Sequence, residues 1–177
     1  MKKIVTLSEL ILIIEGLNKK KKQLGNQLYN LHSKEYIEEL NGICTDMSLE
    51  KESFEDVYSE YKKISNKIVE LELLKNKTNQ ETFIDLDNEK KSLSFALLKV
   101  KSLRDILVKV ESALSVKESK SRRYDGVGSQ AYYKVIKLNF NKDDLIREKE
   151  LLENKIQDLE SSIQHMNSKT VLNIDVL

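Results

Sequence analysis

Apolar residues recur along this chain at alternating spacings of three and four, and four stretches hold the rhythm long enough to be helices. The first seam runs Leu7, Leu10, Ile14, Leu17, Lys21, Leu24, Leu28 and Leu31. Thr6-Leu7-Ser8-Glu9 opens it as a capping box, with Thr6 capping the backbone and Glu9 reaching back. Asn41-Gly42 is its expected stop, because glycine tolerates the left-handed conformation of a helix end. The second seam is Phe54, Val57, Tyr61, Ile64, Ile68 and Leu71. The third is Leu93, Ala96, Val100, Leu103, Leu107, Val110 and Leu114, with Asp87 and Asn88 as candidate caps. The fourth is Leu145, Lys149, Leu152, Ile156, Leu159, Ile163 and Met166, opened by Asn141 with Asp143 and Asp144 in the first turn. Periodicity and caps together predict helices over about 7–41, 50–77, 89–117 and 142–168.

The remaining segments are short. Residues 1–5, 83–86 and 170–177 have the length and content of small extended pieces. Residues 118–140 form a loop whose later part, YYKVIKL over 132–138, is aromatic and β-branched like a strand. The expected fold class is mainly α. It is an antiparallel four-helix bundle or coiled-coil hairpins, with a small β element from the loop and tail, in a single domain over 1–177. The first and fourth helices are long enough to project from a compact bundle, so their seams point to a homo-oligomer.

Composition sharpens this picture. The chain is 40% hydrophobic and 33% charged, with no proline or tryptophan, which favours long helices over a mixed sheet. Its net charge of +1 argues against non-specific nucleic-acid binding, which needs a basic face. Lys19 to Lys22 is a basic run that a solvated helix face explains. A lone Cys44 excludes an intrachain disulfide and fits the reducing cytoplasm. His32 and His165 have no ligand partner at metal-binding spacing, and no cofactor is expected. The apolar run at 10–14 is far shorter than the ~20 residues of a membrane span, and reads as the buried start of a helix.

One stretch, residues 117–137, departs from the helical pattern in its chemistry. It holds six basic residues against two acids, Glu118 and Asp125. Arg122 and Arg123 carry planar forks that match phosphate or carboxylate. Tyr124, Tyr132 and Tyr133 offer flat faces and hydroxyls. Gly126 and Gly128 let backbone amides approach an anion. Gly-Val-Gly is neither a dinucleotide fingerprint nor a P-loop. The same composition also suits salt bridges between subunits. No catalytic set stands out: there is no Ser-His-acid grouping, HExxH or paired cysteine.

Thr78-Asn79, Leu103-Arg104-Asp105-Ile106-Leu107, Arg123-Tyr124 and Ile163-Gln164-His165-Met166-Asn167 occur in this order along most of the chain. In this the chain resembles the septicolysin-like family of small bacterial helical proteins. The family pattern has serines, an arginine and a tryptophan after Arg-Tyr. Here Asp125, Gly126, Gly128 and Tyr133 stand there, which implies a changed ligand. The resemblance implies no established activity. It does imply that Thr78, Asn79, Arg104, Asp105, Arg123, Tyr124, Gln164 and Asn167 converge near one end of the bundle. The function expected is a non-enzymatic oligomer that sequesters a small phosphorylated or nucleotide-like ligand, with a coiled-coil adaptor and a nucleotide-processing enzyme as alternatives.

Overall fold

The computed structural model describes residues 2–33, 36–40, 42–46, 53–86, 89–124 and 131–175. Among these the chain is mainly α, with four helices and four antiparallel strand pairs. In chain order the elements are β1 (Lys2–Thr6), α1 (Leu7–Asn30), β2 (Tyr36–Glu38), β3 (Cys44–Asp46) and α2 (Phe54–Glu81). Then follow β4 (Phe83–Leu86), β5 (Glu89–Ser92), α3 (Leu93–Leu114), β6 (Ser119–Tyr124), β7 (Ala131–Ile136), α4 (Lys142–Lys169) and β8 (Val171–Asp175). Consecutive strands pair as hairpins, except that β1 pairs with β8.

Two compact units result, Met1–Thr82 with Met166–Leu177, and Phe83–His165. In the first, α1 and α2 pack antiparallel because their seams face each other. Leu24, Leu28, Val57, Ile64 and Ile68 are buried together, with Leu17, Leu31 and Tyr61 packed on them. Lys20 pairs with Glu60 at 2.5 Å, and Lys21 lies 5.5 Å above the Tyr61 ring. Thus the lysine that interrupts the first seam holds its ammonium over an aromatic face. Thr6 and Glu9 form the capping box foreseen, with the Thr6 N–H donating to Glu9 Oε2 at 2.7 Å and the Glu9 N–H to Thr6 Oγ1 at 3.2 Å.

In the second unit α3 buries Leu93, Ala96, Val100, Leu103 and Val110, and α4 buries Leu152, Ile156 and Ile163. These are seam positions. Arg104–Glu160 at 2.5 Å and Lys149–Glu111 at 3.1 Å tie the two helices, and their numbering runs in opposite directions. The hydrogen bond that Lys149 donates to Glu111, and then the charges of Glu153 and Glu111, raise the Lys149 pKa.

Helix boundaries differ from expectation: α2 runs on to Glu81 rather than ending near 77, so Thr78 and Asn79 are helical and not in a link, and α3 stops at Leu114 rather than 117. α1 ends at Asn30 rather than near 41, where its seam ends; Leu31 donates to the carbonyls of Gln27 and Leu28. Gly42, at φ +84°, serves the β2–β3 turn instead, where Glu39 N–H donates to Ile43 O at 2.8 Å. α3 starts at Leu93, capped by Ser92, because 89–92 pairs as a strand with 83–86. Asp87, Asn88 and Asn41 lie outside the described residues. Gly25 permits no special approach: a Cβ there would sit 3.7 Å from Tyr61, an ordinary contact.

Candidate functional site

β6 and β7 form the hairpin between α3 and α4. The ladder pairs Ser119 with Ile136, Lys120 with Val135, Ser121 with Lys134, Arg122 with Tyr133, Arg123 with Tyr132 and Tyr124 with Ala131. Below it, Glu118 Oε1 accepts from the Leu138 N–H at 3.1 Å and closes the base. The Ser-Lys-Ser-Arg-Arg run is extended because β7, rich in tyrosine and β-branched residues, gives it a partner strand.

Strand alternation sorts the side chains. One face carries Lys120, Arg122, Tyr124, Tyr133 and Val135; the other carries Ser121, Arg123, Tyr132 and Lys134. Adjacent Arg122 and Arg123 therefore lie on opposite faces, and the pair does not grip one ligand from one side of the hairpin. On the richer face Lys120 Nζ is 4.4 Å from the Tyr133 ring centroid, and the Arg122 guanidinium is 5.2 Å from that of Tyr124. Those rings hold both cations in place by cation–π attraction. No acid stands on either strand, and none of Lys120, Arg122, Arg123 and Lys134 forms an ion pair among the described residues. Every residue of both strands is exposed. The hairpin is thus an exposed cation–aromatic platform with two open faces. Gly126, like Asp125, Gly128 and Ser129, lies outside the described residues.

The other positions named from the sequence lie on helices. Arg104 is engaged with Glu160, ten residues or about 15 Å of helix before the end of α3. Asp105 beside it is exposed. Gln164 is one turn beyond Glu160 on α4, about 33 Å of helix from Lys142. Thr78 donates back to the Leu74 carbonyl at 2.9 Å, and Asn79 is buried at the end of α2. Asn167, in the last turn of α4, has a buried Oδ1 without a hydrogen-bond partner among the described residues. Arg104 and Gln164 thus lie several turns along α3 and α4 from the helix ends that carry the hairpin of Arg123 and Tyr124.

The sequence did not point to a cleft in the second unit. It has a volume of about 480 Å³ and lies between β4–β5, α3 and α4. Asp85, Glu89 and Asp158 balance Lys91, Lys99 and Lys155, over the Phe95 ring and neighbouring leucines. Glu89 pairs with Lys91, whose hydrogen bond and charge hold its carboxyl below the usual range. The charges cancel, so this cleft has no bias toward anions, whereas the hairpin has a strong one.

Fold and site together define a mainly α protein of two helical pairs that displays a basic, tyrosine-bearing β-hairpin. No family model matches the chain, and no curated protein matches it. It is similar in structure to a functionally unknown conserved protein from Corynebacterium diphtheriae. That likeness has a TM-score of 0.68 at 17% identity, covering 96% of this chain and 99% of the other. It concerns the fold alone. Among the described residues, no helix is long and apolar enough to cross a membrane, and no cluster of His, Cys, Asp and Glu is placed to hold a metal.

Proposed function

We propose that this chain is a non-enzymatic, homo-oligomeric binding protein that holds a small phosphorylated or nucleotide-like ligand on the β6–β7 hairpin. The carrying observation is the face with Lys120, Arg122, Tyr124 and Tyr133: two cations held against aromatic rings, with no acid on either strand. A guanidinium set edge-free over a ring suits a phosphate, and a second ring suits a base. Small ligands are held in concave sites, and a hairpin open on both faces supplies one wall. A neighbouring copy supplies the other wall, so binding and self-association belong to one proposal. Sequestration rather than turnover fits the lack of a catalytic grouping in the sequence. The antiparallel four-helix bundle, the cytoplasmic setting and the septicolysin-like resemblance are further parts of this proposal.

A thermal-shift screen over nucleotides, cyclic dinucleotides and simple phosphates tests it. A ligand at ~100 times its Kd stabilises the protein by ~2.7 kcal/mol. Arg122→Ala removes that response and leaves the unliganded transition in place. An empty screen overturns the binding role.

A coiled-coil adaptor is the second reading, favoured by exposed leucines on the helices such as Leu12, Leu73 and Leu151. It is distinguished by partner capture that survives Arg122→Ala while the ligand screen stays empty.

A further inference from the structure

The face of α3 opposite its buried seam carries a second heptad line: Ser94, Leu98, Lys101, Asp105, Val108 and Ser112. The spacings are four, three, four, three and four, the a/d pattern of a coiled-coil seam. Leu98 is 67% exposed and Val108 58% exposed, so nothing among the described residues covers the middle of this line. Lys101 and Asp105 are exposed and form no ion pair among the described residues. The line is therefore a mostly polar stripe in which two exposed aliphatics flank an unpaired ammonium and an unpaired carboxylate.

The line is a chemical palindrome. Reversing it about position 103 exchanges Ser94 with Ser112, Leu98 with Val108, and Lys101 with Asp105. An antiparallel copy of the same helix places each residue opposite its counterpart: hydroxyl against hydroxyl, aliphatic against aliphatic, ammonium against carboxylate. An isologous interface requires this self-complementarity, and an unrelated partner does not. The charges also set the register. A parallel pair would put Lys101 against Lys101 and Asp105 against Asp105, with like charges opposed.

We infer that α3 is a homodimerisation helix, pairing antiparallel with α3 of a second copy through Leu98, Lys101, Asp105 and Val108. This rests on the homo-oligomer part of the proposed function and names its surface; it does not depend on a ligand at the hairpin.

Cysteine pairing tests the geometry in a Cys44→Ser background. Leu98→Cys and Val108→Cys proteins, mixed and oxidised, form a disulfide-linked heterodimer. Neither cross-links alone, because like positions are separated by ten residues of rise, about 15 Å, beyond the ~7 Å reach of a disulfide. Charge reversal tests the register by mass. Lys101→Asp halves the mass of the assembly in light scattering, and adding Asp105→Lys restores it, with helical circular dichroism unchanged in both. The inference is overturned if the mixed pair fails to cross-link, if Leu98→Cys alone links to itself, or if Lys101→Asp leaves the mass unchanged. None of these readouts involves Arg122, so failure here and an empty ligand screen are separate results.

Discussion

β1–β8 and β6–β7 are both two-stranded antiparallel ladders of five or six pairs, and they differ in what covers them. In β1–β8, Val5 is 2% exposed and Ile174 5%, on the face shared by Lys3, Val5, Leu172 and Ile174. The two strands run straight out of helices: the Leu7 N–H donates to Thr170 O at 2.8 Å, and Thr170 N–H to Met166 O at 2.9 Å. In β6–β7 the alternation is the same and no residue is buried. A lone two-stranded hairpin is marginal in water. The first ladder is thus fastened by burial, while the second is left displaying its side chains. Backbone pairing alone does not separate a structural strand pair from a presented one. What separates them is whether one face meets a core.

The largest effect that tests this contrast belongs to Ile174→Ala. Truncating a buried isoleucine removes packing and leaves a cavity, and destabilisation of ~2–5 kcal/mol is expected. Urea unfolding followed by circular dichroism measures it. A loss under ~1 kcal/mol would show that β8 is not anchored by its inward face, because exposed sites lie in that range.

Next in size is the joint between β1 and α1. Thr6→Ala removes the side-chain cap, and a loss of ~0.5–2 kcal/mol is expected from the same urea titration. Glu9 adds a pH signature. Hydrogen bonds from the Thr6 N–H, and then from its hydroxyl, hold the Glu9 carboxyl below the ordinary value of 4.5. A depressed folded-state pKa means the unfolded chain takes up the proton first. The stabilisation is therefore whole above about pH 4.5 and is lost as pH falls through the lower folded value. Glu9→Gln should flatten the acid limb of stability against pH in this window and leave its shape at neutral pH unchanged.

Much of this contrast lies beyond the reach of periodicity. The helical seams were legible because a period near 3.6 writes burial directly into residue order; Leu10, Ile64, Val100 and Ile156 are buried as their spacing requires. Strand 171–175 was legible as an apolar tail, but its partner at the other end of the chain is a long-range pairing. The Gly42 signal was real and its use misjudged, since a positive φ serves a hairpin turn as well as a helix end. β6 was hidden because Ser-Lys-Ser-Arg-Arg has little strand propensity of its own. That omission blurred the site: with 118–131 read as loop, Arg122 and Arg123 counted as one cluster. Pairing with β7 sends them to opposite faces. The cleft beside Phe95 left no mark in the sequence because Asp85, Lys99 and Asp158 come from three separate elements.

The smallest stability effect is the sharpest test of the contrast. Tyr133 stands opposite Arg122 and beneath Lys120, with both of its strand neighbours exposed. If β6–β7 is a displayed surface, Tyr133→Ala changes global stability by no more than about 0.5 kcal/mol. The same substitution removes the ring that steadies Lys120, so the thermal shift from any phosphorylated ligand drops at least tenfold in apparent affinity, the equivalent of ~1.4 kcal/mol. A protein that loses several kcal/mol without ligand would place Tyr133 in a core, and the two ladders would then be alike. A protein that keeps both stability and ligand response would shift binding to the face of Arg123, Tyr132 and Lys134. Paired measurement on Tyr133→Ala and Tyr132→Ala distinguishes the faces, because alternation assigns each tyrosine to one side only.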